Sequence, residues 1–216
     1  AKTGNKEAQR EMGVLEALKT GLESGTSVRA LSITEDDRTD IVKPMQLITD
    51  KPVMYVCNVD EGSAVDGNAH VERVREAVKN EDAEVLVLAV GIEADIAELD
   101  DYEERTMFLE DIGLEEAGAG KLIRSAYRLL NQQTYFTAGK KEVRAWTVRV
   151  GATAPQAAGV IHTDFERGFI RAEVIKYDDF VHFGSEAKVR DAGKLNVEGK
   201  EYIVKDGDIM NFRFNV

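Results

Sequence analysis

Two short apolar runs stand out in the polar first half of the chain. Residues 53–57 and 84–90 are almost continuously aliphatic or aromatic and have the length of strands. Runs without alternation are typical of strands that are buried on both faces of a parallel sheet. Between them, residues 71–80 place three valines on one side of a predicted helix. The pattern therefore predicts a parallel βαβ unit.

The first fifty residues have a helical period instead. Apolar side chains recur every three or four positions at Met12, Leu15, Leu18 and Leu22. This spacing predicts one apolar face of a helix over residues 6–24. A second helical region is expected over residues 29–49, with Thr34 as its N-cap, so that the two form a helical hairpin. Further helices are predicted after a turn at Gly91 and over residues 101–113 and 115–132.

From Thr134 onward the period changes to that of strands. Residues 142–150 alternate between apolar and polar side chains, which predicts a half-buried strand. A second strand is expected at 169–177. The dipeptide Asp206-Gly207 predicts a tight turn joining strands at 201–204 and 209–214. Strands around one helix favour a small α+β domain of the β-grasp kind.

Charge divides the chain at about the same place. Residues from Thr134 onward carry 13 basic and 12 acidic side chains, a net of +1, so the residues before them carry a net charge of −13. The acidic part should repel nucleic acid, whereas the nearly neutral part tolerates it. The single cysteine, Cys57, excludes an internal disulfide and is expected in the core. With a polar start and no long apolar run, we expect a cytoplasmic protein without membrane contact.

Candidate chemistry follows the first strand, at Asn58-Val59-Asp60-Glu61. Ligands bind at the carboxyl ends of parallel strands, so this polar cluster is a candidate small-molecule site. The same spacing also fits a simple turn or helix cap. Three more stretches are distinctive, and they read QTYFTAGKKEVRAWT at 133–147, GATAPQAAGVIHTDFERGFIRAE at 151–173 and YIVKDGDIMNFRFNV at 202–216. In order and spacing, the motif and these stretches resemble the C-terminal portion of the Obg-like ATPases, the YchF subfamily of translation-factor-class P-loop NTPases.

The resemblance implies a fold that is α/β in one part and α+β in another. Residues 1–50 would be the returning part of an inserted helical, coiled-coil domain. Residues 51–132 would be the C-terminal portion of a P-loop NTPase sheet, and residues 133–216 a TGS domain, which is a ubiquitin-like β-grasp fold. The implied cofactors are ATP and magnesium, the latter with ligands outside this chain. The implied partners are the ribosome or RNA, through the TGS domain, and the missing N-terminal segment; we expect a monomer.

The N-V-D-E motif is the reason to expect ATP. Related GTPases carry N-K-x-D there, so Val59 replaces the lysine and Glu61 the guanine-binding aspartate. Because one amide both donates and accepts, Asn58 suits the adenine edge. We expect Asn58 to read adenine, Val59 to pack on the ring and Glu61 to shape the pocket, with ATP preferred over GTP.

A second loop is expected to complete this site. Ala89, Val90 and Gly91 match the family's loop that closes over the base with backbone groups. Gly91 stands where related GTPases usually have a larger side chain, so its contacts would be through the main chain. A plain strand-to-helix turn is the alternative interpretation of these residues.

The phosphate-binding motif G-x-x-x-x-G-K-[ST] is absent from the 216 residues. The nearest match, G-A-G-K at 118–121, lacks the first glycine and the hydroxyl, so we do not expect it to bind phosphate. Whether the chain is enzymatic therefore stays open. One hypothesis is the ATP-binding part of a ribosome-associated ATPase; the alternative is a non-catalytic RNA- or ribosome-binding module with an empty nucleotide site. The apolar face of the first helix is expected to need a partner from a missing segment.

Two aromatic or imidazole side chains and a set of basic residues complete the candidates. Trp146 is expected in the core, and His162 at the end of a helix with a structural role. Six basic residues would form an RNA-binding surface if the sheet aligns them, or a solvated face if it does not: Lys140, Lys141, Arg144, Arg149, Arg167 and Arg171.

Overall fold

The computed structural model describes residues 5–81, 83–139 and 142–215. The chain divides between Leu129 and Leu130 into an N-terminal and a C-terminal unit, which are described separately. The helices of the N-terminal unit are α1 (Lys6–Glu23), α2 (Glu35–Asp37), α3 (Lys43–Met45), α4 (Ala69–Val78), α5 (Val90–Glu98), α6 (Tyr102–Asp111) and α7 (Gly118–Leu129), and its strands are β1 (Met54–Asn58) and β2 (Glu84–Leu88). In the C-terminal unit, the strands are β3 (Gln132–Ala138), β4 (Val143–Arg149), β5 (Phe169–Ile175), β6 (Asn196–Glu198) and β7 (Ile209–Phe214), and the helices are α8 (Ala154–Ile161), α9 (Thr163–Arg167), α10 (Tyr177–Phe183) and α11 (Glu186–Asp191).

The first predicted helix is confirmed, but its buried face is different. Asn5 caps α1 by accepting hydrogen bonds from the backbone N–H groups of Glu7 and Ala8. Of the four predicted apolar positions only Leu18 is buried, at 3% exposure, and Val14 is buried beside it. Met12, Leu15 and Leu22 are exposed. The segment that follows α1 packs Val28 and Val42 against the side of the helix that carries Val14 and Leu18. The other side of the helix is left open.

The prediction of one helical region over residues 29–49 is wrong in detail. A 3₁₀ turn at Val28–Ala30 is followed by a helical stretch from Glu35 to Met45, whose middle turn, Arg38–Val42, is a π-helix. Gln46 ends it in the left-handed conformation, with φ of 52°. A second 3₁₀ turn spans Ile48–Asp50. The predicted cap is confirmed, because the Thr34 hydroxyl accepts from the backbone N–H of Asp37 at 3.2 Å.

The parallel βαβ unit is confirmed. Strands β1 and β2 pair in parallel, from Met54 opposite Glu84 to Asn58 opposite Leu88, and α4 connects them. The prediction that β1 is buried on both faces is wrong, since Val56 is 45% exposed. In the described part of the chain β1 has one neighbouring strand, β2.

The C-terminal unit has a mixed five-stranded sheet. Its strand order is β4-β3-β7-β5-β6, with β3 parallel to β7 and the other pairs antiparallel. Helix α8 packs three buried alanines, Ala154, Ala157 and Ala158, into a core with Tyr135 and Met210. The Tyr135 hydroxyl donates to the carbonyl of Ala157 at 2.8 Å, which satisfies a fully buried polar group.

The predicted hairpin at the end of the chain is wrong. Residues 201–204 make only an isolated bridge between Ile203 and Thr153, and β7 pairs with β3 and β5 instead. The predicted turn is present, with Gly207 at φ of 78°. Its neighbour Asp206 accepts from the backbone N–H of Thr134 at 2.8 Å, so the turn is held against β3 rather than against residues 201–204.

A buried carboxylate fixes this turn from the other side. Asp208 is fully buried and accepts from the Lys176 ammonium at 2.5 Å, the Tyr202 hydroxyl at 2.7 Å and the backbone N–H of Lys205 at 2.9 Å. Lys176 also donates to the Tyr202 oxygen at 2.7 Å. Burial lowers the pKa of Lys176, but the hydrogen bonds with Asp208 and Tyr202 outweigh it and raise that pKa overall.

None of the helices in the described ranges is long and apolar enough to cross a membrane.

Candidate functional site

The two candidate segments meet at one edge of the βαβ unit. Asn58 and Leu88 are paired as the last residues of β1 and β2. The backbone N–H of Val59 donates to the Leu88 carbonyl at 2.8 Å, which extends the pairing by one residue. The carboxyl ends of both strands therefore open at the same place, where open α/β sheets bind ligands.

The side chain of Asn58 has a fixed orientation. Its Oδ1 accepts from the backbone N–H of Val90 at 3.1 Å. Because a backbone N–H only donates, the oxygen must face helix α5 and the amide nitrogen must face away. Asn58 is exposed, and its Nδ2 makes no hydrogen bond with any other residue that the structure describes. Asn58 therefore presents two N–H donors to solvent at this edge.

The side chain of Val59 packs inward, against apolar side chains of the N-terminal unit. Val59 is half-buried and packs on a cluster formed by Ala89, Ile92 and Ile96. Ala89 is 6% exposed, so its side chain also belongs to this cluster. Val59 and Ala89 thus form apolar support beneath the edge. That Val59 also packs on a base ring stays a prediction.

Glu61 lies at the outer part of the same loop. It is exposed and begins the 3₁₀ turn Glu61–Ser63. Asp60, which precedes it, accepts from the Ser63 hydroxyl at 2.9 Å and holds this turn. The structure thus gives Asp60 a structural role and leaves the Glu61 carboxylate at the surface.

The second segment is the start of a helix. Ala89 precedes α5, and Val90 and Gly91 are its first two residues, so the turn predicted at Gly91 ends two residues earlier. The first N–H groups of a helix have no partners within it. The N–H of Val90 donates to the side-chain oxygen of Asn58, and the N–H of Glu93 donates to the carbonyl of Ala89. Gly91 is exposed, and a Cβ placed there has no atom within 4 Å.

The G-A-G-K stretch is already bound by a carboxylate. Glu93 accepts from the backbone N–H groups of Gly118 at 2.6 Å and Ala119 at 3.0 Å, at the start of α7. This is the position that a phosphate takes at a helix N-terminus. A Cβ on Gly118 would lie 2.3 Å from Leu88 Cδ2, so this glycine serves close packing. Sequence reasoning missed Glu93, because a carboxylate 25 residues from its partner leaves no local signal.

The basic residues of the C-terminal unit do not form one face. Arg144 and Arg149 are five positions apart on β4, so their side chains are on opposite sides of the sheet. The Arg144 guanidinium lies over the Trp146 ring at 4.1 Å from its centre. Lys140 and Lys141 lie outside the described residues. Trp146 packs against the core as expected.

The remaining candidates have structural roles. His162 lies at the end of α8 and caps α9, with its Nδ1 accepting from the backbone N–H of Asp164 at 3.2 Å. Cys57 is half-buried within β1. Over the described ranges, no group of three or more His, Cys, Asp or Glu side chains is placed to hold a metal ion.

These features define a mixed α/β protein with a parallel strand pair and a separate small sheet. Residues 132–215 match a family model named YchF-GTPase_C, described as a protein of unknown function (DUF933). The whole chain is 53% identical over 216 residues to the ribosome-binding ATPase YchF of Haemophilus ducreyi and 48% identical over 218 residues to that of Bacillus subtilis. The structure of the Schizosaccharomyces pombe YchF GTPase matches with a TM-score of 0.81 and 30% identity, covering 98% of this chain and 56% of that one.

The chain belongs to the YchF family and corresponds to its C-terminal part. It spans 59% of the length of the curated relatives it matches. The resemblance inferred from the motifs is thereby confirmed.

Proposed function

We propose that this chain supplies the base-binding part of the nucleotide site of a ribosome-associated Obg-like ATPase. The observation that carries the proposal is the fixed, solvent-facing amide of Asn58 at the shared strand edge. The names of the relatives, ribosome-binding ATPases, support the class of activity. In the whole protein the reaction would be hydrolysis of ATP to ADP and phosphate with magnesium, and its phosphate-binding residues would lie outside these 216 residues.

Asn58 would recognise a purine as a hydrogen-bond donor. Its oxygen is engaged by Val90, so an N–H of the amide is the group that reaches a base. Purine N7 is an acceptor in both adenine and guanine. Asn58 would therefore hold either purine, which differs from the expectation that it selects adenine by itself.

Selection for ATP would then depend on Glu61. In the N-K-x-D pattern of related GTPases a shorter aspartate stands at this position. Glu61 is exposed, and its carboxylate, one methylene longer than that of an aspartate, would displace a base held where those GTPases hold guanine. Val90 and Gly91 would contribute backbone contacts, because the open space around Gly91 lets a ligand approach the main chain.

The C-terminal unit would be a TGS domain with a β-grasp fold. In its sheet the first strand, β3, lies parallel to the last, β7, and α8 packs across one face, which supports this assignment. We propose domains at residues 1–50, 51–132 and 133–216, the last making the contact with ribosome or RNA. The protein would act as a monomer in the cytoplasm.

Two substitutions of Asn58 test the site. Asn58→Asp keeps an oxygen for the Val90 N–H but removes the donor, so we expect at least a tenfold loss of ATP affinity by calorimetric titration, with little change in melting temperature. Asn58→Ala removes both groups and should lower both quantities. ATP binding by Asn58→Asp at the level of the unmodified protein would refute Asn58 as the base donor.

The second candidate function is a ribosome- or RNA-binding module with an empty nucleotide site. It is favoured by the separate core of the C-terminal unit and by the missing phosphate-binding motif. Cosedimentation with ribosomes distinguishes the two candidates. If the chain pellets with ribosomes, yet neither ATP nor GTP binds, the second function replaces the first.

A further inference from the structure

A cleft in the N-terminal unit shares no lining residue with the candidate nucleotide-base site. It has a volume of about 670 Å³ and is bounded by α5, α6 and the segment that leads into α7. Its floor is apolar and is formed by Ile96, Leu109, Leu114 and Ala117. Its volume is in the range of pockets that bind ligands or a few side chains of a partner.

The rim of this cleft is strongly acidic. Residues 92–117 contain eleven Asp or Glu residues and one basic residue, Arg105. Three acidic residues line the cleft, Glu110, Glu115 and Glu116. Glu110 and Glu115 are exposed, whereas Glu116 is paired with Arg124. Arg105, the one basic residue of the lining, donates through Nε to the Leu99 carbonyl at 2.7 Å. The electrostatic potential at this surface is therefore negative.

One large aromatic side chain extends the floor toward solvent. Tyr102 lines the cleft and is 80% exposed. Exposed aromatic side chains are enriched where proteins bind other proteins. The surface thus combines an apolar floor with an acidic rim.

We propose that this cleft docks a basic amphipathic protein segment. Apolar side chains of the segment would bury against Leu109, Leu114 and Tyr102, while its Lys or Arg side chains would pair with Glu110 and Glu115. RNA and nucleotides carry the same sign of charge as the rim, and a second copy of this chain would bring the same acidic surface. The proposal rests on the cleft alone and does not depend on nucleotide binding.

The charge requirement is tested with a fluorescent 18-residue peptide of Leu and Lys, whose leucines fall on one helical face. Glu110→Lys with Glu115→Lys should weaken its binding to the 216-residue chain at least tenfold in fluorescence anisotropy. The matched control is Glu16→Lys with Asp66→Lys, which changes the net charge equally at exposed positions outside the cleft. We expect a change of less than twofold for this control.

The apolar requirement is tested separately. Tyr102→Ala should lower the affinity for the amphipathic peptide several-fold. It should leave unchanged the affinity for a peptide of the same composition whose leucines are scattered around the helix. Since Tyr102, Glu110 and Glu115 are exposed, these variants should keep the circular dichroism of the unmodified protein.

Three outcomes would overturn the proposal. Equal weakening by the cleft and control variants would mean that only net charge attracts the peptide. Equal affinity for the amphipathic and scattered peptides would mean that the floor has no role. Competition by a single-stranded RNA oligonucleotide that is lost in Glu110→Lys with Glu115→Lys would mean that the cleft binds nucleic acid instead.

Discussion

The two units differ in how completely their own residues bury their sheets. The C-terminal sheet has five strands, and twelve buried residues form one core around Tyr135, Val174 and Met210. The N-terminal sheet has two described strands, and the buried residues of that unit fall into separate clusters around Val14 and around Ile92. Burial of apolar surface is the main favourable term in folding, so the C-terminal unit should be the more stable.

Both candidate sites are in the unit whose buried residues form the smaller, separate clusters. The nucleotide-base site and the acidic cleft lie in the N-terminal unit, where exposed groups such as Asn58 and Tyr102 are available for contacts. In the C-terminal unit the polar groups of Asp208 and Tyr135 are engaged internally. Elements with fewer buried contacts open more easily, and binding loops are commonly drawn from them.

Asp208→Ala should have the largest effect on the stability of the C-terminal unit. It leaves the Lys176 ammonium and the Tyr202 hydroxyl without their buried acceptor, so we expect a loss of about 3 kcal/mol in the free energy of unfolding. Trp146, the single tryptophan, lies in the C-terminal unit and reports its unfolding in denaturant by fluorescence. Asp206→Ala is the control; it removes one exposed hydrogen bond to Thr134 and should cost about 1 kcal/mol. Equal losses for the two variants would contradict the role of Asp208.

Gly168→Ala should have the next largest effect. A Cβ on Gly168 would lie 2.1 Å from the carbonyl oxygen of Asn215, so the backbone that follows β7 must move. The same pair is joined by a hydrogen bond from the Asn215 N–H to the Gly168 carbonyl at 2.9 Å. We expect a loss of about 2 kcal/mol, measured by Trp146 fluorescence. An unchanged denaturation midpoint would show that the close approach is not maintained in solution.

Alkaline pH should weaken the C-terminal unit. Burial raises the pKa of Tyr202, and contacts with Asp208 raise that of Lys176. For both groups the folded pKa lies above the unfolded value, so their stabilisation is present below about pH 10 and is lost as the pH rises further. We expect the denaturation midpoint reported by Trp146 to fall above pH 10, and to fall less for Lys176→Met with Tyr202→Phe. The same fall in that variant would assign the effect to other groups.

Acid should weaken the N-terminal unit instead. Hydrogen bonds from Arg29 and then from the Tyr55 hydroxyl lower the pKa of Glu81, which joins the helical segment to β1. Its folded pKa is below the unfolded value, so its stabilisation is present above about pH 4.5 and is lost as the pH falls through the folded value. The protection factors of the β1 amides in hydrogen exchange, which correct for the slower intrinsic exchange in acid, should fall below pH 4.5, and Glu81→Gln should remove that pH dependence. An earlier loss of protection in the C-terminal unit would reverse the comparison.

Local patterns predicted the elements better than they predicted their surroundings. The alternation of β4, the run of β2 and the cap at Thr34 are each decided by neighbouring residues, and the structure contains them. The exposure of Val56 depends on what covers its face of the sheet, and the pairing of β7 depends on which strands lie beside it; a local pattern specifies neither. The contact of Asn58 with Val90 joins residues 32 positions apart, so the sequence indicated both segments but not the bond that orients the amide.

The smallest expected effect is from Gly91→Ala, which separates folding from binding at the nucleotide-base site. Gly91 is in the first turn of α5, and a Cβ there meets no atom within 4 Å, unlike the Cβ at Gly168. Alanine favours helix, so we expect the free energy of unfolding to rise by up to about 0.5 kcal/mol. If a base approaches the backbone at Gly91, the same methyl group should weaken ATP binding several-fold in a calorimetric titration. ATP affinity unchanged by Gly91→Ala would place the base away from α5 and leave Asn58 as its only tested contact.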